Sequence, residues 1–171
     1  MTRRSANLLG FGACVGLMAY ALYAQHGLGL EPCPLCVFQR IGVIATGVVF
    51  LIAALHNPAG GGRIGYALAL LLTGGATAAV AGRHVWLQNL PPDQVPACGA
   101  SLEFLLDTAP LFDVLQQVFT GSGECAAISW SFLGLSMPTW VLIAAAALTL
   151  AGVVANALLP TRSVTLDAAP A

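Results

Sequence analysis

Four long apolar stretches constrain the fold of this chain more than any other feature. They cover residues at about 8–28, 37–55, 64–87 and 137–159. A bilayer's hydrocarbon core is about 30 Å thick, and roughly 20 helical residues cross it. Backbone polar groups in lipid must be hydrogen-bonded within the segment, which favours helices. We therefore predict an all-α membrane protein, a single domain over 1–171 built on a bundle of four transmembrane helices.

The overall composition agrees with a membrane protein. Charged residues make up 8% of the chain, against about 25% in soluble domains. The net charge of −1 argues against a nucleic acid as partner, because phosphate binding needs clustered cations.

The arginines predict the orientation of the four crossings. Four of them precede the first stretch, lie in the turn between the second and third, or follow the fourth: Arg3, Arg4, Arg63 and Arg162. Four crossings place all of these on one side of the membrane, and positive charge favours the cytoplasmic side. We therefore expect a multi-pass protein with both termini in the cytoplasm and two outer loops, at about 29–36 and 88–136.

The long outer loop has two recognisable parts. Its proline-rich beginning, 91–96, cannot sustain a helix and is expected to be extended. Residues 102–119 mix apolar and acidic side chains around Pro110. This pattern predicts two short amphipathic helices lying on the membrane surface. A small globular cap packed on the bundle is the alternative. An aromatic belt at the same interface is predicted from three tryptophans: Trp86, Trp130 and Trp140.

The cysteines divide between the loops and the first helix. Cys33 and Cys36 lie in the short outer loop, and Cys98 and Cys125 lie in the long one. Two pairs on the oxidising face of a membrane can form disulfides. Cys14, within the first apolar stretch, is expected to be a small buried hydrophobe.

The Cys-x-x-Cys motif carries the features of reactive thiols. Cys36 stands at the predicted N-terminus of the second helix, where free N–H groups favour a thiolate. Arg40 follows one helical turn later and adds a positive charge. A thiolate is the attacking species in disulfide exchange. Two alternatives stay open, namely a structural zinc site on the four loop cysteines and two purely structural disulfides.

Two further residues near membrane depth are candidates for binding a redox partner. Arginine at a helix end often only extends to the interface, but an ionisable group near membrane depth indicates function. A quinone develops negative charge on its oxygens during reduction, which a nearby cation stabilises. Arg40 is the main candidate for that contact. His84 either lines the same site or anchors the helix at the interface. Arg83 beside it is ambiguous in the same way.

Several motifs together resemble one known family. The runs are Pro32-Cys33-Pro34-Leu35-Cys36-Val37-Phe38-Gln39-Arg40, then Pro96-Ala97-Cys98, then Gly123-Glu124-Cys125, and Trp130-Ser131-Phe132-Leu133-Gly134-Leu135-Ser136-Met137-Pro138-Thr139-Trp140. They resemble the disulfide bond formation protein B family, DsbB, and the resemblance covers nearly the whole chain. The DsbA–DsbB–quinone system keeps the bacterial periplasm oxidising.

The resemblance implies a catalytic function at the bacterial cell inner membrane, with the catalytic loops in the periplasm. The partner would be a periplasmic thioredoxin-fold dithiol oxidase of the DsbA type, and the electron acceptor a membrane quinone, either ubiquinone or menaquinone. Cys98 and Cys125 would form the loop disulfide, with Cys98 attacked by the partner. Cys125 would then attack Cys33 and release Cys36 beside the quinone, with Arg40 holding the ring oxygen. No metal is expected.

Two departures from the family pattern are visible, and neither touches that chemistry. Pro34 lies inside the Cys-x-x-Cys motif, and Gln39 stands where relatives can have an acid.

Two other functions remain as alternatives. A reductant carrier would need cysteine pairs within the helices, where only Cys14 is found. A non-enzymatic scaffold would hold zinc on the four loop cysteines.

Overall fold

A computed structural model describes residues 2–58, 60–91, 93–95, 102–121 and 123–160. Four of its helices are long and apolar enough to cross a membrane. In chain order the elements are α1 Arg3–Gly27, α2 Pro34–His56, α3 Gly62–Gln88, α4 Leu102–Thr108, α5 Leu111–Thr120, α6 Gly123–Ala126, β1 Ser131–Phe132, β2 Leu135–Ser136 and α7 Met137–Leu158. The prediction of an all-α membrane protein with four long helices is confirmed.

The first two helices begin earlier than the apolar stretches alone suggest. Thr2 and Ser5 form a reciprocal cap at the start of α1, where the Ser5 N–H donates to Thr2 Oγ1 at 3.3 Å. This arrangement satisfies N–H groups that a helix leaves unpaired at its N-terminus. Helix α2 begins at Pro34, because the fixed φ of proline suits the first helical position.

One end of the bundle gathers the chain start, the α2–α3 turn and the end of α7. The Arg3 N–H donates to the Pro160 carbonyl at 3.4 Å, and the Arg3 guanidinium donates to the Pro58 carbonyl. Asn57, which ends α2, has a left-handed backbone with φ of 40°. The described cysteines other than Cys14 lie at the beginning of α2 and before α7, so they belong to the opposite end.

Small residues let the long helices approach closely. A Cβ added at Gly152 on α7 would lie 2.7 Å from the Phe50 ring of α2 and 2.9 Å from Leu70 of α3. Such small-residue contacts are typical of helix packing in membranes. Cys14 packs in the same core beside Val43 and is 3% exposed, as expected of a small buried hydrophobe.

Buried amides join α1 to α7. Asn7 Nδ2 donates to Asn156 Oδ1 at 3.1 Å, and Asn156 Nδ2 donates to Asn7 Oδ1 at 2.8 Å. Each amide satisfies a polar group that would otherwise be unpaired in an apolar interior. Hydropathy alone does not predict this pair.

The short helices α4 and α5 are present on either side of Pro110, but α5 packs on the bundle. Val114 and Val118 are buried against Leu35 of α2 and Leu87 of α3. The expected placement on the membrane surface is therefore wrong for this face of α5, because its apolar side chains pack against the outer ends of α2 and α3 instead. The cap alternative describes this packing correctly.

Arg83 holds α5 in that position. Its Nε donates to the Phe119 carbonyl at 3.1 Å and its Nη2 to the Thr120 carbonyl at 3.0 Å. Its guanidinium also lies 4.1 Å from the centre of the Trp86 ring. Carbonyls at a helix C-terminus lack backbone partners, and a cation satisfies them. Arg83 is therefore a cap for α5 rather than a simple interface anchor.

The proline-rich segment contains a turn. The Gln94 N–H donates to the Pro91 carbonyl at 2.9 Å, so the described part of this segment is not extended as expected. Backbone of this kind satisfies its own polar groups locally. Cys98 lies outside the described residues.

A two-stranded hairpin that was not predicted precedes α7. Ser131 pairs with Ser136 and Phe132 with Leu135. The two connecting residues, Leu133 and Gly134, have φ values of 52° and 78°. Two successive positive φ values are the mark of the tight turns that match strand twist.

Candidate functional site

The Cys-x-x-Cys motif wraps around the first turn of α2. Cys33 is the N-cap residue, and its Sγ accepts the backbone N–H of Cys36 at 3.4 Å. The two sulfur atoms are 2.8 Å apart. Cys36 therefore lies in the first helical turn, where unpaired N–H groups stabilise negative charge. The sequence places this motif correctly at the helix N-terminus.

Cys125 reaches the same point from the long loop. It lies in α6, is 1% exposed, and packs in one apolar cluster with Cys33 beside it. The Sγ atoms of Cys33 and Cys125 and a ring nitrogen of His84 all lie within 4.8 Å of one another. The fold thus brings together one cysteine from each predicted pair, although 92 positions separate them in the sequence.

His84 links the two cysteine segments. It is 2% exposed, so it lies inside the site rather than at a lipid interface. Its Nε2 lies 3.0 Å from the Cys125 carbonyl oxygen, which can only accept, so Nε2 carries the proton and donates it. The same Nε2 is 3.8 Å from Cys33 Sγ.

Gln39, noted in the sequence only as a departure from the family pattern without effect on the chemistry, lies inside the site. It is 4% exposed, and its Nε2 donates to His84 Nδ1 at 3.0 Å. This bond keeps Nδ1 unprotonated and so agrees with a proton on the other ring nitrogen. A polar side chain one position before Arg40, on the inward face of an apolar helix, is the signal that could have revealed it.

The surroundings of Cys33 favour its protonated form. Hydrogen bonding to Cys125, then hydrogen bonding to Cys36, and then burial raise the pKa of the Cys33 thiol above its usual range. A protonated thiol is a poor nucleophile. In the fully reduced site, therefore, Cys33 is not the attacking thiolate.

Arg40 points from α2 towards α1. Its Nη2 donates to the Ala21 carbonyl at 3.1 Å, and its Nη1 donates to Gln25 Oε1. Arg40 is half-buried. These two bonds hold the guanidinium in one orientation, and Gln25 is a partner that the sequence did not indicate.

A cavity of about 470 Å³ lies beside these residues, between α1, the start of α2 and the start of α7. Cys33, Cys36, Arg40 and His84 all line it. Most of its remaining lining is apolar or aromatic, which suits an apolar ligand held by a few polar groups.

The hairpin supplies an aromatic wall to the cavity. The Trp130 and Phe132 rings stack with centroids 6.2 Å apart, and the Phe132 and Trp140 centroids are 6.1 Å apart. Tyr20 of α1 contacts Trp130 edge to face at 6.0 Å. Trp130 and Trp140 are thus packed in a cluster and half-buried, and their place in an aromatic belt stays a prediction. Trp86 is 53% exposed and is compatible with a belt position.

Comparison with known proteins agrees with this architecture. The family described as disulfide bond formation protein DsbB matches residues 3–155. A disulfide bond formation protein B from Marinobacter nauticus is 51% identical over 143 residues, covering 84% of this chain and 85% of that protein. Its counterpart from Acinetobacter baylyi is 57% identical over 139 residues, covering 80% of each chain. That from Saccharophagus degradans is 53% identical over 141 residues, covering 82% of this chain and 85% of that protein. The chain has clustered cysteines at one end of a four-helix membrane fold. Sequence matches of this extent show that it belongs to the DsbB family of disulfide bond formation proteins.

Proposed function

We propose that this protein is an inner-membrane thiol:quinone oxidoreductase. It reoxidises a periplasmic dithiol protein of the DsbA type and passes the electron pair to a membrane quinone, which drives disulfide bond formation. The observation that carries the proposal is that Cys125 meets Cys33, while Cys33 and Cys36, in contact with each other, line one cavity. Thiols must approach within bonding reach before a disulfide can be exchanged between them.

The relay begins with two disulfides, Cys98–Cys125 and Cys33–Cys36. A thiolate of the partner attacks Cys98, which forms a mixed disulfide and frees Cys125. Cys125 attacks Cys33, so the Cys33–Cys36 bond breaks and Cys36 leaves as a thiolate. The second thiol of the partner then attacks the mixed disulfide and releases the oxidised partner. Two electrons have left the partner and have reduced one of the two disulfides.

The cavity residues fit a quinone headgroup. A flat, largely apolar ring suits the aromatic wall, and Cys36 and Arg40 line the same space. When bound, the quinone takes up an electron pair and two protons, which returns the cysteines to two disulfides. Arg40 would hold a ring oxygen, because a fixed cation stabilises the negative charge that develops there. His84 would line the site beside Cys33.

The orientation follows from the arginines. The end of the bundle that carries Arg3, the α2–α3 turn and Arg63 at the start of α3 would face the cytoplasm. The cysteine end would then face the periplasm, where disulfides persist. Both termini would be cytoplasmic.

The test is quinone reduction by the detergent-purified protein. A reduced DsbA-type partner and a quinone are supplied, and loss of quinone is followed by ultraviolet absorbance. We expect Cys36→Ser and Cys98→Ser to abolish turnover, with Cys14→Ser as the matched control that retains it. Turnover that persists in Cys36→Ser would contradict the relay, as would a folded wild-type protein that reduces none of several quinones.

A further inference from the structure

The cysteine end of the bundle contains a second arrangement besides a disulfide relay. Three donor atoms that bind soft metals come from three elements: Cys33 Sγ before α2, a His84 ring nitrogen on α3 and Cys125 Sγ on α6. All three lie within 4.8 Å of one another. Cys36 Sγ is 2.8 Å from Cys33 Sγ but lies outside this group of three, so it would have to move to become a fourth donor.

The distances are close to those of a tetrahedral zinc site. Zn–S bonds of about 2.3 Å and Zn–N bonds of about 2.0–2.1 Å place neighbouring ligand atoms roughly 3.5–3.8 Å apart. The separation of Cys33 Sγ and His84 Nε2 is 3.8 Å, which is close to the required S···N edge of about 3.5 Å. Cys36 Sγ would have to move away from Cys33 by about 1 Å and also approach the other donors, since it lies outside the group of three.

A second shell for the histidine is in place. Metal-binding histidines generally donate the hydrogen of their other ring nitrogen to a carbonyl or carboxylate oxygen, which orients the ring. Gln39 already contacts His84 Nδ1 at 3.0 Å through its amide. If the amide turns over, its oxygen accepts a proton from Nδ1, and Nε2 is freed to bind a metal. A glutamine can support either tautomer of the histidine because its amide has both a donor and an acceptor.

We propose that the reduced protein binds a thiophilic divalent cation, with zinc as the natural choice, through Cys33, Cys125 and His84. Cys36 completes a Cys₃His set. This set differs from a clip of the four loop cysteines, because His84 replaces Cys98. On binding, thiols that were protonated release their protons to solvent and become thiolates; no electron is transferred.

Metal binding at this site depends on the redox state. A Cys33–Cys36 disulfide removes two of the four ligands, and a Cys33–Cys125 disulfide also removes two. Only the fully reduced site can therefore hold the ion. Because one partner reduces only one of the two disulfides, this state needs a second electron pair, from a second reduced partner or a chemical reductant. The consequence for turnover rests on the proposed function: a bound ion blocks both disulfides from re-forming and holds the enzyme inactive.

The test is metal binding by the detergent-purified full chain, with neither quinone nor partner present. Protein reduced with a phosphine is titrated with Co²⁺, whose visible absorption reports tetrahedral thiolate coordination, and Zn²⁺ is then added in competition. We expect binding of about one ion per chain, displacement of cobalt by zinc, and no binding by the oxidised protein. Proton release on zinc addition gives a second readout.

Matched variants identify the ligands. Cys33→Ser, Cys125→Ser and His84→Ala should each weaken binding strongly, whereas Cys14→Ser and Cys98→Ser should leave it unchanged. Gln39→Leu, which removes only the supporting contact, should weaken binding by about 10- to 100-fold. Helix content measured by circular dichroism identifies any variant that fails to fold, and the Gln39 variant tests the same site without loss of a ligand.

Three results would overturn the proposal. These are an absence of stoichiometric binding by the folded reduced protein, wild-type affinity in Cys125→Ser, and loss of binding in Cys98→Ser, which would indicate the four-cysteine clip instead. Since the assay contains no quinone, its failure leaves the oxidase function standing. Failure of the quinone assay would likewise leave a metal site that binds as described.

Discussion

The contact between His84 and the Cys125 segment gives the most informative prediction about the relay. His84→Leu keeps the side-chain volume nearly constant but removes the donor to the Cys125 carbonyl and the acceptor of Gln39, two contacts of 3.0 Å each. Both Cys125 and Gln39 are almost fully buried. The lost contacts would leave buried polar groups unpaired as long as the Cys125 segment stays docked. We expect the variant to fold nevertheless, because this segment can undock and expose the Cys125 carbonyl to water.

The size of the effect follows from the loss of one buried hydrogen bond on docking. An unsatisfied buried polar group costs about 1–3 kcal/mol. The docked population, and with it the tendency of Cys125 to bond to Cys33, should fall by roughly 5- to 150-fold, since about 1.4 kcal/mol corresponds to a factor of ten.

The assay isolates that single disulfide. In a background where Cys14, Cys36 and Cys98 are serine, the effective concentration of Cys33 against Cys125 is measured by equilibration with glutathione redox buffers. The trapped protein is then resolved on gels. The matched control is Leu72→Ala, on the same helix and 72% exposed. An effective concentration within about two-fold of the background protein in the His84 variant would refute the docking role.

Three further predictions concern the cavity and the bundle. Arg40→Gln should raise the KM for quinone by about 10-fold or more, because a charge-assisted hydrogen bond contributes about 1.5–3 kcal/mol. Arg40→Lys, which keeps the positive charge, should restore part of the loss. An unchanged KM in Arg40→Gln would show that this residue does not bind the quinone. Gly152→Ala should lower the free energy of unfolding in detergent by about 1–3 kcal/mol, because the added Cβ would lie 2.7 Å from the Phe50 ring. Gly75→Ala, whose Cβ would meet nothing within 4 Å, is the control, and equal losses would contradict the packing. Cys14→Ser should retain full turnover at a small cost in stability, measured by the quinone assay and by a melting curve.

Local patterns in the sequence determine the four long helices and the position of the reactive motif. Hydropathy over about 20 residues is enough to specify a membrane span. The Cys-x-x-Cys motif lies at a helix start because Pro34 can occupy only the beginning of a helix without cost. Arg40 follows one turn later as a consequence of the helical repeat. None of these features depends on contacts with distant parts of the chain.

The short helix α5 shows where local pattern becomes insufficient. Its amphipathic sequence predicts a helix with an apolar face, and both are present. A membrane surface and the end of a helix bundle would cover such a face equally well. The choice is made by Val114 and Val118, which pack against Leu87, and by Arg83, which caps the helix from α3. These partners lie too far along the chain for a local pattern to indicate them.

The membrane fold, the cysteine motif and the family to which the chain belongs can all be inferred from the order of its residues. Three contacts become visible only in the folded chain: Cys125 meets Cys33, His84 joins the two, and Gln39 supports His84. Gln39 and His84 are 45 positions apart, and His84 and Cys125 are 41 apart. Their contacts depend on how α2 and α3 are rotated about their axes, and that rotation is set by the close packing of small residues. Hydropathy shows how long a helix is, but it does not show which side chain faces its neighbour.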